Sequence, residues 1–305
     1  MNKKEKVRKR KSTKMQRKEW LAGYLFLLPN IIGFLIFTAV PVVIGFVVSL
    51  TDYAGFGSFH FVGFKNYISM FSDSNFTIAL KNNLAYTGAT VLFTVLCALL
   101  LALLLNQKLF FANGFKTIYF FPNITSMVAV GCVFLQLFEA KNGPVNQLLK
   151  AIGVDNPPRW FWGSATALLT IIIVVVWKQA GYYMIMFLGG LKNIPKHLYE
   201  SAKIDGAGPL QTFRYITWPM LSPTTFMVTI LTFIASFQVF DIINVTTEGG
   251  PGRSTQMLVI RVYAEAFRFG RMGYASAIGY FLFLIVFLLT IIQWQAQRKW
   301  VSDDV

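Results

Sequence analysis

Six stretches of this 305-residue chain are apolar over roughly the 20 residues that a helix needs to cross the hydrocarbon of a bilayer. They lie at about 21–50, 82–105, 116–138, 165–190, 223–243 and 274–295. This constraint comes first because lipid offers the backbone no hydrogen-bond partners. Only helices and closed barrels then satisfy every main-chain group, and unbroken apolar runs of this length select helices. Composition agrees: 55% of the residues are hydrophobic and 13% are charged, whereas a soluble domain carries about 25% charged residues. The expected fold is an all-α integral membrane protein with six transmembrane helices. Pro29 and Pro41 can kink the first stretch. It is much longer than a signal-peptide core and lacks a convincing cleavage site, so it is expected to stay as the first helix.

Basic residues set the orientation. Ten lie within the first nineteen positions, directly before the first apolar stretch. With that tail in the cytoplasm, Lys108, Lys116, Lys192, Lys196, Lys203, Arg214, Arg298 and Lys299 also fall inside. Lys65, Lys141, Lys150, Arg159, Arg253, Arg261, Arg268 and Arg271 fall outside. The excess places both termini in the cytoplasm. Trp20, Trp160, Trp162, Trp294 and Trp300 stand near span ends, as an interfacial belt requires. The formal net charge of +15 is therefore read by membrane lipid and by topology rather than by nucleic acid. The expected organisation is a basic cytoplasmic tail at 1–19, a transmembrane domain at 20–297 and a short cytoplasmic C-terminus at 298–305.

The chemistry that would make such a chain an enzyme is missing. It has no phosphate loop, nucleophile elbow, paired-cysteine metal site or His-Glu-x-x-His helix. Cys97 and Cys132 fall inside apolar runs, and His60 and His197 have no partners at ligand spacing. No cofactor or metal is expected on this chain. The Asn-x-Ser/Thr matches at Asn75, Asn123 and Asn244 are easily obtained by chance. A secondary carrier or a membrane-embedded enzyme would want convergent acidic or histidine residues in the spans, or inverted repeats with broken helices; neither is found.

Polar residues inside spans are costly and are functional candidates by default. Lys178, Gln179, Tyr182 and Tyr183 lie in the fourth stretch, and Gln179 and Tyr182 share a helix face. Thr232 and Ser236 share a face in the fifth, with Gln238 and Asp241 nearer its outer end. Asn123, Thr125 and Ser126 lie in the third. They can line a path for a hydrophilic solute, or serve as hydrogen-bonding glue between helices.

Between the fourth and fifth stretches runs a polar segment, 195–223, on the expected cytoplasmic side. It carries Glu200-Ser201-Ala202, then Gly206, Ile216 and Trp218-Pro219, with Asp205-Gly206-Ala207 at its centre. The segment resembles the EAA-type coupling loop of importer-type ABC permeases, with Ser201 and Trp218 in place of the usual Ala and Leu. The similarity continues through Phe61-Val62-Gly63-Phe64-Lys65-Asn66-Tyr67, Asn142-Gly143-Pro144-Val145-Asn146 and Thr247-Glu248-Gly249-Gly250-Pro251. In layout it is similar to the maltose-permease-like subunits of the carbohydrate-uptake subgroup.

That resemblance implies a multi-pass, non-catalytic subunit of the bacterial inner membrane with a coupling-helix segment between helices 4 and 5. It implies a second permease subunit, two ATPase subunits that bind ATP-Mg, an extracytoplasmic solute-binding protein, and a sugar or oligosaccharide as cargo. Glu200, Ser201, Ala202, Asp205, Gly206 and Ala207 would dock the ATPase. Asn123, Gln179, Tyr182, Thr232 and Ser236 would line the substrate path; only Tyr182 keeps the residue type of the maltose-type relatives, which points to another saccharide. A glycerol-phosphate-like polyol is the alternative cargo, suggested by Lys178 and the outer arginines.

Overall fold

The computed structural model describes residues 14–107 and 110–300. The expected basic tail lies outside them except for 14–19, which open the first helix, and residues 301–305 also lie outside. The described residues form helices and connecting loops, with no strand beyond one isolated antiparallel bridge between Thr51 and Phe61. In chain order the helices are α1 (Lys14–Phe34), α2 (Val40–Ser49), α3 (Lys65–Ser72), α4 (Ser74–Leu105), α5 (Ala112–Ile124), α6 (Met127–Leu137) and α7 (Pro144–Ala151). Next come α8 (Ala167–Asn193), α9 (Lys196–Ile204), α10 (Pro209–Thr212), α11 (Trp218–Met220), α12 (Ser222–Phe237), α13 (Asp241–Thr246), α14 (Leu258–Tyr263) and α15 (Met272–Trp300).

Five continuous stretches are long and apolar enough to span: Lys18–Ser49, Ser74–Leu105, Ala167–Asn193, Ser222–Thr246 and Met272–Gln295. The third expected span is not one helix. It is split into α5 and α6, bent by 99° at Thr125–Ser126. Both residues at the break have extended backbone, with ψ of 143° and 137°. Pro122, just upstream, has no N–H to continue the ladder. An apolar run alone does not show such a break, because both halves stay in apolar surroundings.

Of the three wide π-helical turns among the described residues, Leu35–Ala39 and Phe213–Thr217 end two residues before a proline, Pro41 and Pro219; the third is Ala264–Arg268. A proline ring clashes with the carbonyl four residues upstream, here on Phe37 and Tyr215, and a widened turn gives that carbonyl room.

The core has two layers around α8. Near the loop-bearing end, Tyr86 of α4 packs with Ile171 and Val175 of α8, Val130 of α6 and Ile242 of α13. Toward the α9 end, Ala98 and Ala102 of α4 pack with Met184 and Phe187 of α8 and Val228 of α12. Burial separates the centre from the edge: 67% of the apolar window of α8 is buried, against none for Lys18–Ser49. α8 also meets α5 backbone to backbone. A Cβ added at Gly181 would lie 1.8 Å from the Tyr119 carbonyl oxygen.

The loops at the other end are fastened by polar residues from the motifs noted above. Asn66 Nδ2 donates to the Ser49 and Thr51 carbonyls, both at 2.8 Å. Fully buried Asn146 donates to the carbonyls of Ala140 and Pro158, and accepts from Trp160 Nε1 at 2.6 Å. Thr255 donates to the Gly250 carbonyl at 2.6 Å and meets the Thr247 hydroxyl at 2.7 Å. Charges join α14 to the bundle. Glu265 is fully buried between Arg261 and Arg271, and Arg261 also reaches Asp73 Oδ2 at 3.2 Å. Burial alone would raise the Asp73 pKa, but the Asn75 N–H, the Tyr274 hydroxyl and Arg261 outweigh it and hold the carboxyl below its ordinary value.

The α5–α8 contact predicts a contrast between two glycines of α8. Gly181→Val should lower the thermal midpoint of the purified protein by several degrees, since backbone rather than a flexible side chain stands in the way. Gly189→Ala, with nothing within 4 Å of its added Cβ, should change the stability by no more than about 1 kcal/mol and so leave the midpoint nearly unmoved. Thermal unfolding in detergent, followed by tryptophan fluorescence, measures both.

Candidate functional site: the α9 segment and the centre of the bundle

Helix α9 stops for a local reason. Gly206 has φ +75°, and its N–H donates to the Lys203 carbonyl, while the Ala207 N–H donates to the Ala202 carbonyl at 2.9 Å. These two bonds form a Schellman stop, which needs a left-handed residue immediately past the helix. The chain then restarts at Pro209, with Gln211 Oε1 accepting from the Gly208 N–H at 2.9 Å. The result is a tight helix–turn–helix rather than an open loop.

One face of this unit is seated on the bundle. Leu198, Tyr199, Phe213 and Ile216 pack against the core layer beside it, and Tyr199 and Thr217 are joined through their hydroxyls at 3.1 Å. Of the six residues expected to dock a partner, Glu200, Ser201, Asp205 and Gly206 are exposed and Ala207 is half-buried. Ala202 turns inward and is buried, so its small side chain serves the seat. No carboxylate of this unit makes an ion pair among the described residues. Ile204, Leu210 and Tyr215 are 86%, 78% and 72% exposed. Motif matching passed over these three; their only signal is an apolar side chain in an otherwise polar segment.

At the centre of the bundle the five expected path residues divide into two groups. Thr232 and Ser236 are buried in α12, and their hydroxyls donate to the Val228 and Thr232 carbonyls, both at 2.7 Å. These short polar side chains bond one turn back along their own helix. Asn123 stands at the end of α5, partly exposed, and Tyr182 is 41% exposed on α8. Gln179 is half-buried, with Oε1 shielded and unpartnered among the described residues. Lys178 brings the two helices together: its Nζ donates to the Asn123 carbonyl oxygen at 3.0 Å. Asn123 thus lies beside the turn of α8 that carries Gln179 and Tyr182. Among the described residues no cluster of His, Cys, Asp and Glu could hold a metal ion.

Residues 94–301 match the family model for the binding-protein-dependent transport system inner membrane component. The chain belongs to this family. Its relatives include the lactose transport system permease protein LacF of Rhizobium radiobacter, 36% identical over 91% of this chain and 94% of that protein. The arabinooligosaccharides transport system permease protein AraP of Bacillus subtilis is 34% identical, over 89% and 87% of the two chains. A solved bacterial ABC transporter involved in the import of the acidic polysaccharide alginate contains a chain that superposes with a TM-score of 0.83. That chain is 26% identical, and the match covers 95% of this chain and 99% of that one. The protein is therefore a multi-pass permease subunit of the inner membrane, and ATP hydrolysis in this family belongs to separate subunits. The match takes in α5, α8, the α9 segment and α12, the elements that carry both groups of candidate residues.

Gly206 provides a test of how the permease keeps its α9 turn. Gly206→Val should disfavour the left-handed position by about 1–2 kcal/mol and speed amide exchange in residues 200–210. Gly206→Asn, which tolerates that conformation, should recover most of the protection. Hydrogen-exchange mass spectrometry reads the difference directly.

Proposed function

We propose that the chain is the permease subunit of an ATP-driven importer of a sugar or oligosaccharide. It forms half of the translocation path with a second permease subunit. It docks one of two ATPase subunits through 195–223 and receives cargo from an extracytoplasmic binding protein. The family supports the transport role, and the saccharide named in several relatives supports the cargo class.

One observation carries the docking assignment. The α9 unit is rigidly capped and firmly seated, yet leaves Glu200, Asp205, Ile204 and Leu210 facing outward. Exposed apolar side chains beside unpaired charges suit a partner that offers a complementary cleft. Closure of the ATPases on ATP-Mg would push this unit, and with it α8 and α12, as rigid bodies. Gly206 and Ala207 shape the turn, Ala202 seats it, and Glu200, Ser201 and Asp205 meet the partner.

For the path, Asn123, Gln179 and Tyr182 form the contact layer, with Thr232 and Ser236 as packing behind it. Lys178 is committed to the Asn123 carbonyl, so it no longer favours a phosphorylated polyol over a saccharide.

Glu200→Ala should insert normally in the membrane but cut saccharide uptake by more than about tenfold, through lost ATPase attachment. Uptake into proteoliposomes, together with co-purification of the ATPase, checks this; normal uptake with the ATPase retained would sink the docking role. In the path, Gln179→Ala should change apparent affinity across a saccharide panel, whereas Ser236→Ala should leave the order of preference intact. Reversed behaviour of the two variants would move the contact layer from α8 to α12.

A further inference from the structure

The unexplained residue at the centre of the bundle is Lys178. It is 7% exposed, near the middle of a spanning helix, and no carboxylate lies within ion-pair distance among the described residues. An ammonium group in such a place needs a reason. Its only hydrogen-bond partner among the described residues is the main-chain oxygen of Asn123, 55 residues earlier in the chain.

That oxygen is a particular one. α5 ends at Ile124, so the carbonyls of its last turn have no helical donors, and the chain leaves at 99° after Thr125 and Ser126. A severed helix end at membrane depth leaves carbonyls that lipid cannot satisfy, and it also carries the negative end of the helix dipole. A lysine supplies both a donor and a positive charge. The neighbouring Gly181–Tyr119 contact lies one turn along α8 in the opposite sense along α5. The two helices are therefore antiparallel and held in register at two adjacent points.

We propose that Lys178 is a positioning residue for transport: its ammonium caps the broken end of α5, fixes the break at Thr125–Ser126, and so sets where Asn123 stands in the path. Lys178 itself does not hold cargo. The assignment rests on the proposed reading that cargo passes beside Asn123, Gln179 and Tyr182.

The test uses the assembled transporter, with Cys97 and Cys132 replaced and spin labels placed at Phe115→Cys and Val133→Cys, one on each side of the break. Wild type and Lys178→Arg should give the same narrow distance distribution, since both cap with a charged donor. Lys178→Met should broaden or shift it. Per assembled complex, Lys178→Met should lower the maximal uptake rate by about tenfold, the scale of one lost charged hydrogen bond, and Lys178→Arg should restore most of it. If Lys178→Met fails to assemble, Lys178→Gln, which donates without charge, replaces it and should broaden the distribution to a smaller degree. Unchanged distances in the neutral variants would overturn the proposal. So would selective loss of acidic-saccharide uptake with neutral saccharides spared, because Lys178 would then be touching cargo. The distance measurement needs no cargo, so it decides the cap separately from the saccharide assignment.

Discussion

The structure depends on one constraint: inside a bilayer, each main-chain donor and acceptor must find a partner within the protein. It makes the chain helical and decides where departures from the helix are tolerated. The third span breaks by 99°, and a buried lysine reaches over from α8 to the freed end. Before Pro41 and Pro219 the helix widens instead of breaking. The ends of the spans follow the same rule in a milder form, with Asn66 donating to the Ser49 and Thr51 carbonyls at the end of α2 and Asn146 donating to two in the loop around α7.

This constraint also accounts for what could be read from the residues alone. Length and apolarity were enough for five long apolar helices, because a helix that must satisfy itself in lipid needs a long uninterrupted apolar stretch. The α9 unit was legible for the opposite reason. Its polar side chains and Gly206 have no place in lipid, and the glycine fulfils a local rule at φ +75°. The break at Thr125–Ser126 was hidden because α5 and α6 are both apolar and Pro122 is tolerated in membrane helices. The partner of Lys178 was hidden because it is a backbone atom, which leaves no residue-type signature. For Thr232 and Ser236, spacing identified a shared face but not its direction. Their hydroxyls bond to their own helix, which lets that face turn inward at little cost.

The motifs at the loop-bearing end carry a related lesson. Asn66, Asn146 and the Gly249-Gly250 turn carried the family resemblance, and in the structure Asn66 and Asn146 bracket loop backbone while Thr255 holds the glycine turn. The Asn66 and Asn146 amides and the Thr255 hydroxyl donate to these main-chain carbonyls. A family can vary its cargo while keeping such brackets, because they hold the loops whatever passes between them.

Charge separates the two ends of the molecule. At the loop-bearing end, the buried carboxylate of Glu265 is enclosed by Arg261 and Arg271, and Asp73 is tied to Arg261 and Tyr274. Those charges are already satisfied within this chain, and removing one partner would strand a buried ion. At the α9 end, Glu200 and Asp205 face outward without ion-pair partners among the described residues, next to Ile204 and Leu210. A chain that pairs its buried charges at one end and leaves charged and apolar groups open together at the other has completed one set of contacts internally. The open set fits the proposed assembly interface, and the packing of the α9 unit against the core layer of α4, α8 and α12 would carry a push at α9 toward the break beside Lys178.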